Sequence, residues 1–116
     1  DDSRDGIAHF LQRNPETCLV ACSGQEILGV ILGGHDGRRG YLYHTAVSPT
    51  YRRQGVGAQL VDAVLQAFQR LGIRKVAFAQ NEAGNAFWET QGFTVREDLI
   101  YRNRALVQLP PISADP

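Results

Sequence analysis

Between residues 46 and 60 an apolar run ends, a loop rich in arginine and glycine follows, and a helix with a single apolar face begins. Leu60, Val61, Val64, Leu65, Phe68 and Leu71 fall on one side of that helix. Gln59, Asp62, Gln66, Gln69 and Arg70 lie off it, and Gly72 is a natural C-terminal stop. A strand that feeds such a helix through a tight loop creates an anion site, because the first helical turn has unpaired backbone N–H groups and a partial positive charge. Here the loop is Arg52-Arg53-Gln54-Gly55-Val56-Gly57. Gly55 and Gly57 have no Cβ and let a diphosphate come close to the backbone, while Arg52 and Arg53 add charge at the rim. The pattern is neither Gly-x-x-x-x-Gly-Lys-Ser/Thr nor Gly-x-Gly-x-x-Gly in a βαβ unit, which excludes a Walker-type triphosphate cradle and a dinucleotide fold. Taken alone, a Gly-x-Gly helix start is as often an ordinary turn or cap as a ligand loop.

The rest of the chain must supply the surface under this helix. Ser3 to Arg13 carries Ile7, Phe10 and Leu11 at helical spacing and predicts a short amphipathic helix ended by Asn14-Pro15. Cys18 to Cys22 and Ile27 to Leu32 read as two strands joined through Ser23-Gly24-Gln25-Glu26. A polar turn from Gly33 to Gly40 then leads into a third strand, Tyr41 to Val47, completing an antiparallel meander. After the long helix come a strand at Lys75 to Ala79 and a helix from about Ala83 to Gln91 stopped by Gly92. Two final strands are predicted at Phe93 to Arg96 and Ile100 to Val107. The length of 116 residues suits one domain, expected over 1–109, with 110–116 a disordered tail opened by Leu109-Pro110-Pro111.

Composition narrows the function. With 43% hydrophobic and 21% charged residues the chain can build a core, and twelve basic residues against twelve acidic ones give no field to attract nucleic acid or an anionic membrane. The longest apolar run, Ile27 to Leu32, is far short of the roughly 20 residues that span a bilayer. Asp1-Asp2-Ser3-Arg4-Asp5 has no leader character, so a cytoplasmic setting is the default expectation. Cys18 and Cys22 lack the partners of a zinc site or a disulfide framework and read as small fillers of a strand; no metal is expected. The sequence contains no methionine, and residue 1 is therefore expected to follow a processed or truncated N-terminus.

Two segments together carry a resemblance. Ala46-Val47-Ser48-Pro49-Thr50-Tyr51-Arg52-Arg53-Gln54-Gly55-Val56-Gly57-Ala58-Gln59-Leu60 resembles the Arg/Gln-x-x-Gly-x-Gly/Ala element of the GNAT N-acetyltransferase superfamily. Asn81-Glu82-Ala83-Gly84-Asn85-Ala86-Phe87-Trp88-Glu89-Thr90-Gln91-Gly92-Phe93 resembles its downstream Asn-x-x-Ala-x-x-Phe-Tyr-x-x-x-Gly-Phe segment. The likeness runs from about Glu16 to Leu106 and is greatest to the small single-domain bacterial acetyltransferases. It implies a mixed α/β (α+β) acyl-CoA N-acyltransferase fold. The mostly antiparallel sheet would splay after the Tyr41 to Val47 strand, so that acyl-CoA enters between that strand and Lys75 to Ala79. It also implies that the family's N-terminal strand and first helix are missing ahead of residue 1. The edge near Cys18 to Cys22 would then be left open, to be covered by a homodimer contact or by an N-terminal segment.

The resemblance further implies site roles. Backbone N–H groups of Arg53, Gln54, Gly55, Val56, Gly57 and Ala58 would hold the coenzyme A diphosphate, and Val47 would pair with the pantetheine amides. Arg52 and Arg53 are solvated, or meet the acceptor or the 3′-phosphate. Asn81 is a ligand of the pantetheine arm or simply a helix N-cap, and Asn85 is the better ligand candidate. Relatives carry a glutamate or histidine base at positions matching Tyr41 or Tyr43. A phenol with pKa about 10 is a poor base at neutral pH, so these tyrosines are expected to shape the pocket or hold a water. Strict alternation puts Tyr41, Tyr43 and Thr45 on one strand face, and Leu42, His44 and Ala46 on the other, with His44 a core histidine. Trp88 stands where the family has a tyrosine acid and reads as a core aromatic, since an indole is no usable acid. The implied activity is acetyl transfer from acetyl-CoA to a primary amine of a small molecule or peptide by direct attack. The alternative is a non-catalytic CoA-binding regulatory module.

Overall fold

Helix formation starts at Ser3, whose Oγ accepts the Gly6 N–H at 3.1 Å and caps α1, Arg4–Arg13. In this computed structural model, which describes residues 2–78 and 85–108, α1 is followed by a meander of three strands. These are β1, Cys18–Ser23, β2, Glu26–His35, and β3, Arg39–Val47. Gly24, at φ +60°, makes the first turn, and in the second Asp36 accepts the backbone N–H groups of Arg38 and Arg39, each at 2.8 Å. Those two bonds to the charged form hold the Asp36 carboxyl below its ordinary pKa. A 3₁₀ turn, Pro49–Tyr51, leads to α2, Val56–Arg70, then β4, Lys75–Ala77, and α3, Asn85–Thr90.

The four strands form one sheet in the order β1-β2-β3-β4, antiparallel in the meander and parallel between β3 and β4. Pairing with β4 is confined to Arg39, Gly40 and Tyr41. The residues that would continue β4 beyond Phe78 lie outside the described residues, and the expected splay of the two strands falls there with them.

The core lies between the sheet and α2. Val56, Leu60, Val61, Val64 and Phe68 are buried from the helix, Ile31 and Leu42 from the sheet, and Ile73 from the connection to β4. Phe68 sits on a floor without side chains: a Cβ on Gly33 or on Gly40 would come within 2.9 Å of its ring. On the other face of the sheet, Phe10 of α1 packs edge-on against Tyr43 at 5.1 Å between ring centroids. Thr17, 1% exposed, donates its hydroxyl to Gly33 O at 2.6 Å, and Asn14 Oδ1 accepts the His35 N–H at 3.4 Å, tying the end of α1 to β2.

Three expectations are corrected. The expected strands at Phe93 to Arg96 and Ile100 to Val107 are absent. Val95, Ile100, Tyr101 and Leu106 are exposed without a neighbouring strand, and Arg96 instead pairs with Asp98 at 2.7 Å across a local turn. β-branched composition favours a strand only where a partner and a half-buried face receive it. The third helix ends at Thr90, Gln91 belonging to the turn that follows, while its expected start at Ala83 lies outside the described residues, and β4 ends at Ala77. Cys22 is exposed rather than a filler, beside a register shift between Ala21 and Cys22. Residues 79–84 and the tail from 109 lie outside the described residues, and with them Asn81.

Candidate active site

Val47 ends β3 half-buried against the core, and the next residue is pinned by the Ser48 N–H to Leu28 O bond at 2.8 Å. Tyr51 then donates its hydroxyl to Glu26 Oε2 at 2.8 Å, fastening the 3₁₀ turn to the start of β2. The bond to that carboxylate raises the phenol above its ordinary pKa. From this anchor the chain runs through Arg52, Arg53, Gln54 and Gly55, all exposed, with Gln54 Nε2 donating to Thr50 O at 3.4 Å. Two of these residues are left-handed, Arg53 at φ +65° and Gly55 at φ +82°. Gly55 is the N-cap of α2, and Gln59 N–H makes the first helical bond, to Gly55 O at 3.0 Å. The N–H groups of Val56, Gly57 and Ala58 therefore precede the ladder and have no helical acceptor. The first turn contains no acidic residue to compete for them.

Gly57 sits where three elements meet. A Cβ there would lie 3.4 Å from the Phe87 ring of α3 and 3.8 Å from Val47 Cγ2 of β3. The glycine-bearing turn thus lies at the end of β3. This suits a ligand with a diphosphate at one end, because a diphosphate can meet the N–H donors of the first helical turn. Asn85 is the first residue of α3, which adjoins the same turn through Phe87. Trp88 belongs to an aromatic cluster with Phe78 at 4.3 Å, Phe87 at 5.1 Å and Phe93 at 5.4 Å between centroids.

The α1 face of the sheet holds a cavity. Tyr41 and Tyr43 stack at 4.6 Å, and Tyr43 is 55% exposed. A cavity of about 590 Å³ opens between α1 and the sheet, lined from the strands by Leu32, Tyr43 and His44. The expected alternation along β3 is corrected here by a bulge. Leu32 pairs with His44 and Gly33 with Leu42, so Tyr43 is an extra residue without a partner on β2. Beyond it the parity reverses. Thr45 pairs with buried Ile31 and turns to the α2 face, whereas His44 shares the cavity face with Leu32 and Tyr43. His44 is no core histidine; its side chain is 46% exposed and its Nε2 lies 3.3 Å from Asp2 Oδ1. Alternation alone carries no signal for either Asp2 or His44 as a site residue.

Residues 1–93 match the Acetyltransferase (GNAT) family. The chain belongs to the GNAT family of acetyltransferases and is an acyltransferase. An acetyltransferase of Sodalis glossinidius is 26% identical over 93% of this chain and 78% of its own length. The crystal structure of Ard1 from Thermoplasma volcanium superposes with a TM-score of 0.71 at 24% identity, covering 78% of this chain and 64% of that one. AAC(6′)-Iy, solved with the bisubstrate analogue CoA-S-monomethyl-acetylneamine, has a TM-score of 0.60 at 23% identity over 76% of this chain and 69% of its own. The GNAT fold expected from the two motifs is thus the fold found.

Proposed function

We propose that this GNAT protein transfers an acetyl group from acetyl-CoA to a primary amine, by direct attack of the amine on the thioester. One observation carries the reading: the N–H groups that precede the hydrogen-bond ladder of α2 lie beside Val47 at the end of β3. Backbone N–H groups from Arg53 to Ala58 hold the diphosphate, Arg52 and Arg53 lend it positive charge, and Val47 pairs with the pantetheine arm, for which Asn81 and Asn85 are the further ligand candidates. When bound, the thioester supplies an activated acyl carbon. The chain's own task is to orient the amine and remove its proton, since a primary amine of pKa about 10 is almost wholly protonated at neutral pH.

The α1-side cavity is the acceptor site in this reading, with Tyr41 and Tyr43 shaping its wall. Its volume of about 590 Å³ falls in the range of about 300–1,000 Å³ usual for small-molecule sites, which favours a small amine over a macromolecule. That AAC(6′)-Iy is solved with a CoA–aminoglycoside bisubstrate analogue supports two substrates meeting in this fold.

Calorimetry with CoA and thiol release from acetyl-CoA over a panel of small amines test the proposal. We expect CoA to bind without added metal, Gly57→Val to weaken it at least tenfold, roughly 1.4 kcal/mol, and one or more amines to release thiol. Gly57→Ala, whose methyl meets Phe87 at ordinary contact distance, controls for folding. Unchanged CoA affinity in folded Gly57→Val removes this loop as the site. CoA binding without thiol release from any amine turns the reading to a non-catalytic CoA-binding module.

A further inference from the structure

We propose that His44, oriented by Asp2, is the base that takes the proton from the acceptor amine; the assignment rests on the acetyl-transfer reading above. The bulge at Tyr43 is what makes it geometrically open to this role. Without the extra residue His44 would point to the α2 face, whereas with it the imidazole lines the acceptor cavity beside Tyr43. A carboxylate only accepts hydrogen bonds, so at 3.3 Å Asp2 Oδ1 requires the proton on His44 Nε2 and leaves the lone pair on Nδ1. Imidazole is the side chain most often used for general-base work. The charged and titratable groups facing it are Asp2, Asp5, His9 and Arg13 from the α1 side and Tyr43 from β3. Asp2 and Asp5 favour an ammonium in the cavity, and Asp2 also supports the imidazolium that forms on proton transfer.

The step balances. One proton of the bound ammonium passes to His44 Nδ1, the amine nitrogen forms the bond to the acetyl carbon, and the carbon–sulfur bond breaks. The departing thiolate takes the second proton shed by the nitrogen, and the imidazolium returns its own to water. The amide, CoA thiol and one released proton are the products. Asp2 is a positioning residue, because it acts through the ring.

The test measures kcat and KM for the full chain and for His44→Gln, Asp2→Asn and Asp2→Glu, using the best amine of the panel, alongside CoA affinity and thermal melts. His44→Gln is expected to melt like the parent, because the side chain is half exposed, to keep CoA affinity, and to lose roughly 10²-fold in kcat, the usual size of a general-base deletion. Asp2→Asn should lose less than about tenfold in kcat with KM unchanged, because the ring loses the acceptor that orients it, and Asp2→Glu should restore part of the loss. Wild-type kcat in His44→Gln overturns the assignment but leaves acetyl transfer standing. Should His44→Gln fail to fold, Asp2→Asn decides, and wild-type kcat there overturns it. CoA binding with no thiol release from any amine removes both readings.

Discussion

Gly55 and Arg53 share a left-handed backbone at unequal cost. A glycine adopts φ +82° freely, and open space surrounds the position where its Cβ would be. Gly55→Ala therefore meets no clash and tests conformation alone; it should destabilise by about 1 kcal/mol and weaken CoA binding, read by thermal melts and calorimetry. Trp88 gives the opposite kind of test, since it is packed among three phenylalanines and has no acidic proton to give. A CoA thiol with an intrinsic pKa near 8.5, like a free cysteine, leaves tolerably without a strong acid, so Trp88→Phe should lose less than about tenfold in kcat. A hundredfold loss in a folded protein with normal CoA affinity would put the indole N–H in the chemical step. Single residues were the least legible part of this sequence. The backbone demands at Gly55 and Gly57, a left-handed φ and a close approach, were readable because each is a statement about lacking a Cβ. The facing of His44 was not, because period-two reading presumes an unbroken pleat, and one unpaired Tyr43 reverses every side chain after it.

Among the elements, α2 was the most readable, since its apolar face repeats long enough to exclude other periods and glycines stand near both ends. The three meander strands were readable for a related reason, each having an apolar run and polar turns. The strands expected after Gly92 failed on the same composition because that composition describes a side chain's preference and not the arrival of a partner. What no pattern disclosed is how closely α2 lies on its sheet. Gly33 and Gly40 form the floor under Phe68, and Gly29 faces Leu60 and Ala46 O at 3.0 and 2.9 Å from an added Cβ. Gly40→Ala should cost about 1–3 kcal/mol by overpacking, measured as a lower midpoint in denaturant, and Phe68→Leu in the same chain should restore part of it.

At the scale of the molecule, the sheet exposes β1 at one end of its order, and Val20 and Ile27 on the first hairpin are 57% and 61% exposed. A second copy of the chain or a segment preceding residue 1 would cover this edge, and for the first a closed two-fold pair is the commonest form. Light scattering at tens of micromolar, on the order of weak-dimer affinities, should show a dimer, and a monomer throughout that range would reject it. The glycine floor has a reach beyond its own packing. At about 1.5 Å per residue, Phe68 stands roughly 18 Å along the helix from Val56. A stiff rod lifted at one end tilts at the other, so a methyl group added beneath Phe68 re-aims the N–H groups from Val56 to Ala58. With the start of α2 as the proposed diphosphate site, a variant at Gly33 or Gly40 that still folds is expected to lose coenzyme affinity, although the altered residue packs under the opposite end of the helix. In that reading the aim of the site is set from the far end of the helix.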